Sequence, residues 1–305
     1  MPKRVLVALT AAPAALVGCH PSEELSLDPP TSVTMVASGG FSSPTDAVAS
    51  PDGKTFYFAA FDDQRSPTIY QTSADGSSGA EAIATGDPLN MPIGLVLSCD
   101  GSSIYIADMG GDDGAILSTS SAGGAIASLG ATSIVQPGGL AMGPDCKTLY
   151  ATGHTSDGRP ALFSISTGGG GASIVYAGAP LVSPTGLHVD DKGVAWVMDH
   201  RATGDGGEGV LFAIPSDGSA ANVIASGLRM GTPGGVSLTA SGGTAVMPTR
   251  DADGHAQLTS VDIATGAITQ LPTPDMTDPA GLRTARNASV FAVVDSEAGA
   301  IFRAE

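Results

Sequence analysis

The chain has 305 residues, with 30 acidic against 13 basic side chains and a formal charge of −17. So negative a surface would repel a phosphate backbone, which argues against nucleic acid as a partner. Charged residues at 14%, aromatics at 5%, 42 glycines and 21 prolines argue against a charged, disordered chain and point to many short strands joined by tight turns.

The first segment reads as a targeting leader. Lys3 and Arg4 make a positive start, and Val5 to Val17 form an apolar run too short for a transmembrane helix. Leu16-Val17-Gly18-Cys19 matches the bacterial lipobox. Residues 1–18 are therefore expected to leave as a lipoprotein signal peptide, with Cys19 lipidated; an ordinary secretory signal is the alternative. His20 stands where an Asp would suggest inner-membrane retention, so the expected address is the outer membrane, periplasmic or surface-exposed. The mature chain would carry −19. Contact with the membrane would be through the acyl chains alone, of which about three hold a protein firmly. Residues 19–31, polar and Pro-rich, read as a flexible tether.

Residues 32–305 form an array. Pro44, Pro92, Pro137, Pro184, Pro233 and Pro279 recur at spacings of 48, 45, 47, 49 and 46, a period typical of propeller blades. In the second repeat the strands read as Ile93–Leu97, Ile104–Ala107, Ala115–Thr119 and Ala125–Leu129. Tight-turn residues punctuate the first hairpin at Pro51-Asp52-Gly53, Asp100-Gly101 and Pro144-Asp145. The sixth repeat stops one strand short, while Ser32 to Ala37 is strand-like and precedes the first repeat. The expectation is an all-β, six-bladed propeller of four-stranded antiparallel blades, with the N-terminal strand completing the last blade and removing open edges. Pro suits the first residue of each inner strand, and Gly lets backbones crowd near the axis. Asp46 replaces that Gly once, as a candidate channel-facing carboxylate.

The loops joining second to third strands differ from the generic turns elsewhere. They carry Asp108 and Asp112, His154, then Asp199, His200 and Asp205, then Asp251, Asp253 and His255. These are the candidate binding residues of an acidic loop face. Asp-x-Asp spacing at Asp251 and Asp253 offers oxygens to Ca²⁺, and imidazoles suit softer divalent cations. The competing explanation is that Asp and Gly simply make turns, and that Arg65, Arg159, Arg201 and Arg250 pair with the acids. No loop matches a complete calcium-loop consensus. His188, in an inner strand, reads as a satisfied histidine, and Trp196 as core. No nucleophile elbow, phosphate loop or Cys-x-x-Cys pair appears. Cys99 and Cys146 lie in the first hairpins of adjacent repeats, and an exported protein meets an oxidising compartment, so they are expected to form a disulfide.

The Pro-x-Gly-Leu, Asp-Gly and Tyr-x-Ala-Asp runs resemble the six-bladed superfamily of gluconolactonase/senescence-marker proteins, paraoxonases, strictosidine synthases and NHL-repeat proteins. The resemblance covers Thr31–Glu305 and implies the fold; its members include both enzymes and binding scaffolds. The lactonase branch implies a divalent cation at the channel mouth, held by a Glu two residues before the first Pro and by Asn or Asp after later ones. Here those positions hold Ser42 and Thr45, Ile93, Gly138, Thr185, Gly234 and Ala280, leaving Asp46, Asn90 and Asp278 as nearby metal candidates. The reading is therefore a monomeric, lipid-anchored propeller that binds an envelope protein or small-molecule ligand without catalysis. A metal-dependent lactonase or esterase is the alternative; a metal-free, strictosidine-synthase-like lyase would need a channel base that the residues do not supply.

Overall fold

Every Pro-x-Gly repeat builds one four-stranded antiparallel sheet. This follows from a computed structural model that describes residues 29–231 and 234–305; the leader, Cys19, most of the tether and Pro233 lie outside them. The chain begins with β1 (Val33–Ser38), then forms blade one from β2 (Ser42–Ala49), β3 (Thr55–Phe61), β4 (Pro67–Ser73) and β5 (Glu81–Thr85). Blade two is β6 (Pro92–Leu97), β7 (Ser103–Asp108), β8 (Ala115–Ser120) and β9 (Ala127–Ser128). Blade three follows as β10 (Leu140–Met142), β11 (Thr148–His154), β12 (Pro160–Ser166) and β13 (Ser173–Ala177). Blade four is β14 (Pro184–Val189), β15 (Ala195–Gly204), β16 (Gly207–Ile214) and β17 (Asn222–Ser226). Blade five is β18 (Ser237–Leu238), β19 (Thr244–Arg250), β20 (Ala256–Asp262) and β21 (Ile268–Pro272). Blade six takes β22 (Pro279–Thr284), β23 (Phe291–Asp295) and β24 (Ala300–Ala304), and β1 supplies its fourth strand with Val33 opposite Ala304.

Packing follows from the two-residue period of a strand. In β3, Phe56, Phe58 and Ala60 face blade six, while Ala59 and the partly buried Tyr57 face blade two. In β7, Ile104 and Ile106 turn to blade one, Tyr105 and Ala107 to blade three. Both faces of a central strand are buried, so its sequence is a continuous apolar run rather than an alternating one. The core is six clusters, one per interface between neighbouring blades. The cluster between blades six and one includes Ala37 and Phe41, with Phe41 against Phe58 at a 4.7 Å ring separation.

At the axis, the inner strands approach too closely for side chains. A Cβ placed on Gly94 would lie 2.3 Å from the Gly138 oxygen, and one on Gly139 would lie 2.2 Å from the Thr185 oxygen. On Gly235 it would meet the Leu282 nitrogen at 2.2 Å. These are backbone atoms that cannot rotate away, and they explain the Gly of Pro-x-Gly.

The predicted fourth strand of blade two, Ala125–Leu129, shortens to Ala127–Ser128. Leu129, Ala131 and Ile134 turn inward to the interface with blade three, and their burial draws the chain off the sheet edge. Cys99 and Cys146 are joined, with Cα atoms 5.7 Å apart, and tie blade two to blade three. Cys146 occupies the place of the turn glycines: Gly53 and Gly101 have φ of 70° and 73°, and Cys146 is held at 56°. An L-residue is disfavoured in that region.

Two stability outcomes follow. Gly139→Ala should lower the unfolding free energy by about 1–3 kcal/mol, as overpacking does, read from the urea midpoint. Cys146→Gly and Cys146→Ser both lose the disulfide, but the glycine variant should be the more stable by about 1 kcal/mol, because it relieves the left-handed backbone. Equal midpoints for the two would refute that explanation.

Candidate functional site

In a ring of this topology the connections alternate between two faces. The face bearing the second-to-third-strand loops holds the sequence-predicted binding residues. Its recurrent strand-end aspartates are structural. The carboxylate of Asp108 accepts from the backbone N–H groups of Asn90 (2.7 Å), Met91 (2.9 Å) and Gly110 (2.9 Å). Asp199 accepts from those of Val182 (2.7 Å), Ser183 (2.9 Å), Arg201 (3.1 Å) and Ala202 (2.9 Å). Asp295 does the same for Thr277, Asp278 and Ala298. In each blade the carboxylate satisfies the two N–H groups just before the Pro, which explains the Asp of Tyr-x-Ala-Asp. All three are buried. The equivalent registers of blades one, three and five hold Ala60, Gly153 and Thr249, so the clasp recurs in alternate blades.

Other carboxylates of this face are free of such duties. Asp63, Asp112, Asp205, Glu208, Asp253 and Glu297 are exposed, and their carboxylates make no hydrogen bond to the described residues. The opposite face is also acidic, which the sequence reading missed by treating its turns as generic. There, however, the turn aspartates other than Asp191 are bound within their own turns. Asp100 accepts from the Ser98 hydroxyl (2.6 Å) and the Ser102 N–H (3.0 Å), and Asp75 from the Ser77 N–H (2.9 Å); these bonds hold both carboxyls at about 2. The two faces differ in how many carboxylates remain uncommitted.

Two of the three metal candidates, Asp46 and Asp278, have side-chain partners. Asp46 is buried, its carboxylate accepting from the N–H groups of Leu95 (2.8 Å) and Ala47 (3.0 Å) and facing the Arg283 guanidinium at 3.4 Å. Burial pushes its carboxyl above the usual range, with Arg283 opposing. Asp278 pairs with Arg250, and the Asn90 backbone is held by Asp108. Of the other arginines expected to pair with loop acids, Arg159 meets Asp157 at 2.9 Å.

Among the described residues, one group of three His, Cys, Asp or Glu side chains brings its ligand atoms within 4.8 Å of one another: Asp251, Asp253 and His255. Asp251 already accepts from the N–H groups of Asp253 and His255 and from the His255 ring at 3.0 Å, so the arrangement is a self-satisfied turn. His200 is spent on the Ser183 carbonyl (3.0 Å). His154 is half-buried on the last residue of β11, with Nδ1 unpartnered.

A cavity of about 480 Å³ occupies the axis and opens on the hairpin-turn face, away from the predicted site. Its girdle is one residue from each inner strand: Val48, Val96, Ala141, His188, Ser237 and Arg283. They share a level, lying opposite Tyr57, Tyr105, Tyr150, Trp196, Val246 and Ala292 of the second strands. Blades one to three thus give the channel an apolar half, and blades four to six a polar half. His188 Nδ1 lies 3.3 Å from the Ser237 hydroxyl, which accepts from the Thr284 N–H at 3.1 Å. Arg283 crosses the axis, donating from Nη1 to the Leu187 carbonyl at 2.5 Å. A single polar residue per blade carries no periodic signal, so only superposing the repeats could have shown this girdle.

No family model matches the chain, and no curated protein matches it. Solved structures do. A putative TolB from Agrobacterium tumefaciens aligns at a TM-score of 0.60 and 19% identity, over 86% of this chain and 90% of that one. A protein of unknown function from Bacteroides thetaiotaomicron gives 0.65 and 13%, over 89% and 75%. A chain of a nidogen/laminin complex gives 0.59 and 17%, over 75% and 82%. The likeness is one of fold.

His188 supplies a pH signature. Burial lowers its pKa from 6.5 to about 4, the Arg283 charge adding to the effect and Asp190 opposing it. A depressed imidazole contributes stability that is present above the unfolded value of 6.5 and is lost as the pH falls toward 4. The turn aspartates act only below the ordinary carboxylate value of 3.8, while Asp46, raised by burial, acts in the opposite sense above it. Between about pH 6.5 and 4 the native protein should therefore lose melting temperature relative to His188→Gln, in which the histidine's contribution to the slope is gone. Parallel slopes would show that His188 does not titrate as the cavity geometry requires.

Proposed function

We propose that this protein is a lipid-anchored, non-catalytic propeller of the cell envelope whose second-to-third-strand loop face docks a protein bearing a basic patch. The observation that carries the reading is the set of uncommitted, exposed carboxylates on that face, Asp112, Asp205, Asp253 and Glu297 among them. Carboxylates with no internal partner present their charge outward, and charge of one sign on one surface steers and selects an oppositely charged partner. The hairpin β15–β16, closed by Asp205-Gly206, adds a projecting edge to this face. The described chain starts beside the outermost strand of blade six, at the rim of the ring. The nidogen/laminin neighbour belongs to a protein complex, in keeping with a protein-binding use of the fold. Arginine partners on Asp46 and Asp278 favour binding over the metal-hydrolase alternative.

The lipid anchor is tested by Cys19→Ser, which should abolish acyl labelling and move the protein from the membrane to the soluble fraction. Docking is tested by crosslinking in intact envelopes with Asp112→Asn, Asp205→Asn, Asp253→Asn and Glu297→Gln combined. The adduct of the native protein should weaken as salt rises and vanish in the variant, while neutralising Asp75 and Asp100 on the other face should leave it intact. An adduct that survives the four substitutions would refute the acidic face as the docking surface.

A further inference from the structure

We propose that the axial cavity on the hairpin-turn face is a second binding site, one for a small organic carboxylate with an apolar body, such as a medium-chain carboxylic acid. Hydrogen bonds are left open inside the ring. Arg283 spends Nε on Asp46 and Nη1 on the Leu187 carbonyl; Nη2 has no acceptor among the described residues. The residue is only 5% exposed, and it lines the axial cavity, which is where the free Nη2 can meet solvent or a ligand. A guanidinium N–H presented to a confined cavity is a charge-assisted donor for an incoming acceptor.

Next to it, the Ser237 hydroxyl accepts from Thr284 N–H and lies 3.3 Å from His188 Nδ1. In the proposed arrangement Ser237 gives its proton to Nδ1, so that the neutral imidazole carries its own proton on Nε2, which has no partner among the described residues. Two N–H donors, one of them on a guanidinium, therefore stand unpaired on the polar half of the girdle. Two oxygens of one carboxylate are the simplest group that would accept from both.

Across the axis, Val48, Val96 and Ala141 offer hydrocarbon and no polar atom. A ligand that spans the girdle must then be polar at one end and apolar at the other. The cavity, at about 480 Å³, lies within the range of small-molecule sites. Charges at the mouth support an anion. Lys192 and Arg286 have no ion pair among the described residues, and Asp190 is occupied by the N–H groups of Lys192 and Val194 and the Trp196 indole N–H at 3.2 Å. Asp191 is the one uncommitted carboxylate of the lining. On a chain of net charge −17 this is a local departure, and it sits on the face opposite the docking surface.

The test is calorimetric titration of the soluble Ser22–Glu305 chain with octanoate, octanol and octylamine at pH 7. Octanoate should bind, at least about tenfold tighter than octanol, the worth of a hydrogen bond to a charged group, and octylamine should not bind. Arg283→Gln and His188→Leu should each weaken octanoate by about tenfold or more. Val96→Phe, which fills the apolar half, should block octanoate and octanol alike. Circular dichroism shows which variants are folded; if Arg283→Gln is not, because Asp46 loses its counter-ion, His188→Leu and Val96→Phe decide the matter. Octanoate binding no tighter than octanol, or unaffected by the substitutions that fold, would overturn the proposal. These readouts are independent of the partner docked on the opposite face.

Discussion

The whole ring depends on one contact, repeated around the axis: the inner strand of one blade laid against the backbone of the next with no Cβ between them. Glycine at Gly94, Gly139, Gly186, Gly235 and Gly281 makes that approach feasible, and it brings the flanking strands close enough for the six interblade clusters to interdigitate. At the sixth such position the residue is Asp46. Its carboxylate takes the space against Gly281, where a Cβ would lie 2.1 Å from its oxygen, and it bonds the Leu95 N–H of blade two and the Arg283 side chain of blade six. The blade that departs from the glycine rule, blade one, is the neighbour of the blade that joins the two ends of the array. A polar stitch there replaces a bare backbone contact, at the interface that β1 must close.

Charge in this protein serves two purposes that composition cannot separate. Asp108, Asp199 and Asp295 are ionisable groups used as backbone clasps, buried and fully occupied by N–H donors. Asp75 and Asp100 do the same in exposed turns. What remains, on the loops after each second strand, is charge with no internal use. Function on a propeller lies in such residues, since the scaffold is common to proteins that do different things.

Much of the fold was legible in the sequence because its causes are local and periodic. Pro-x-Gly marks the approach to the inner strands of blades two to six, Asp-Gly the first hairpin turns of blades one and two, and the missing last strand together with Val33–Ser38 shows how the ring closes. The cysteine pair was legible because the first hairpin turns of adjacent blades are neighbours in space. The short β9 was not, since Leu129 and Ile134 are drawn off by an interface with the next blade. Superposing the repeats aligns the six girdle positions, but the cavity they enclose and its polar half were not legible. His188, Ser237 and Arg283 occur once each, some fifty residues apart, and nothing in their own repeats marks them.

By itself, then, the sequence determined the number of blades, their order, the closure and the redox pairing, because steric rules for Gly and Pro and the two-residue strand period act within a repeat. Which carboxylates are structural and which are free, and that three polar side chains converge across the axis from an apolar wall, was decided by the tertiary structure. Those properties depend on distances between repeats, and only the closed ring sets them.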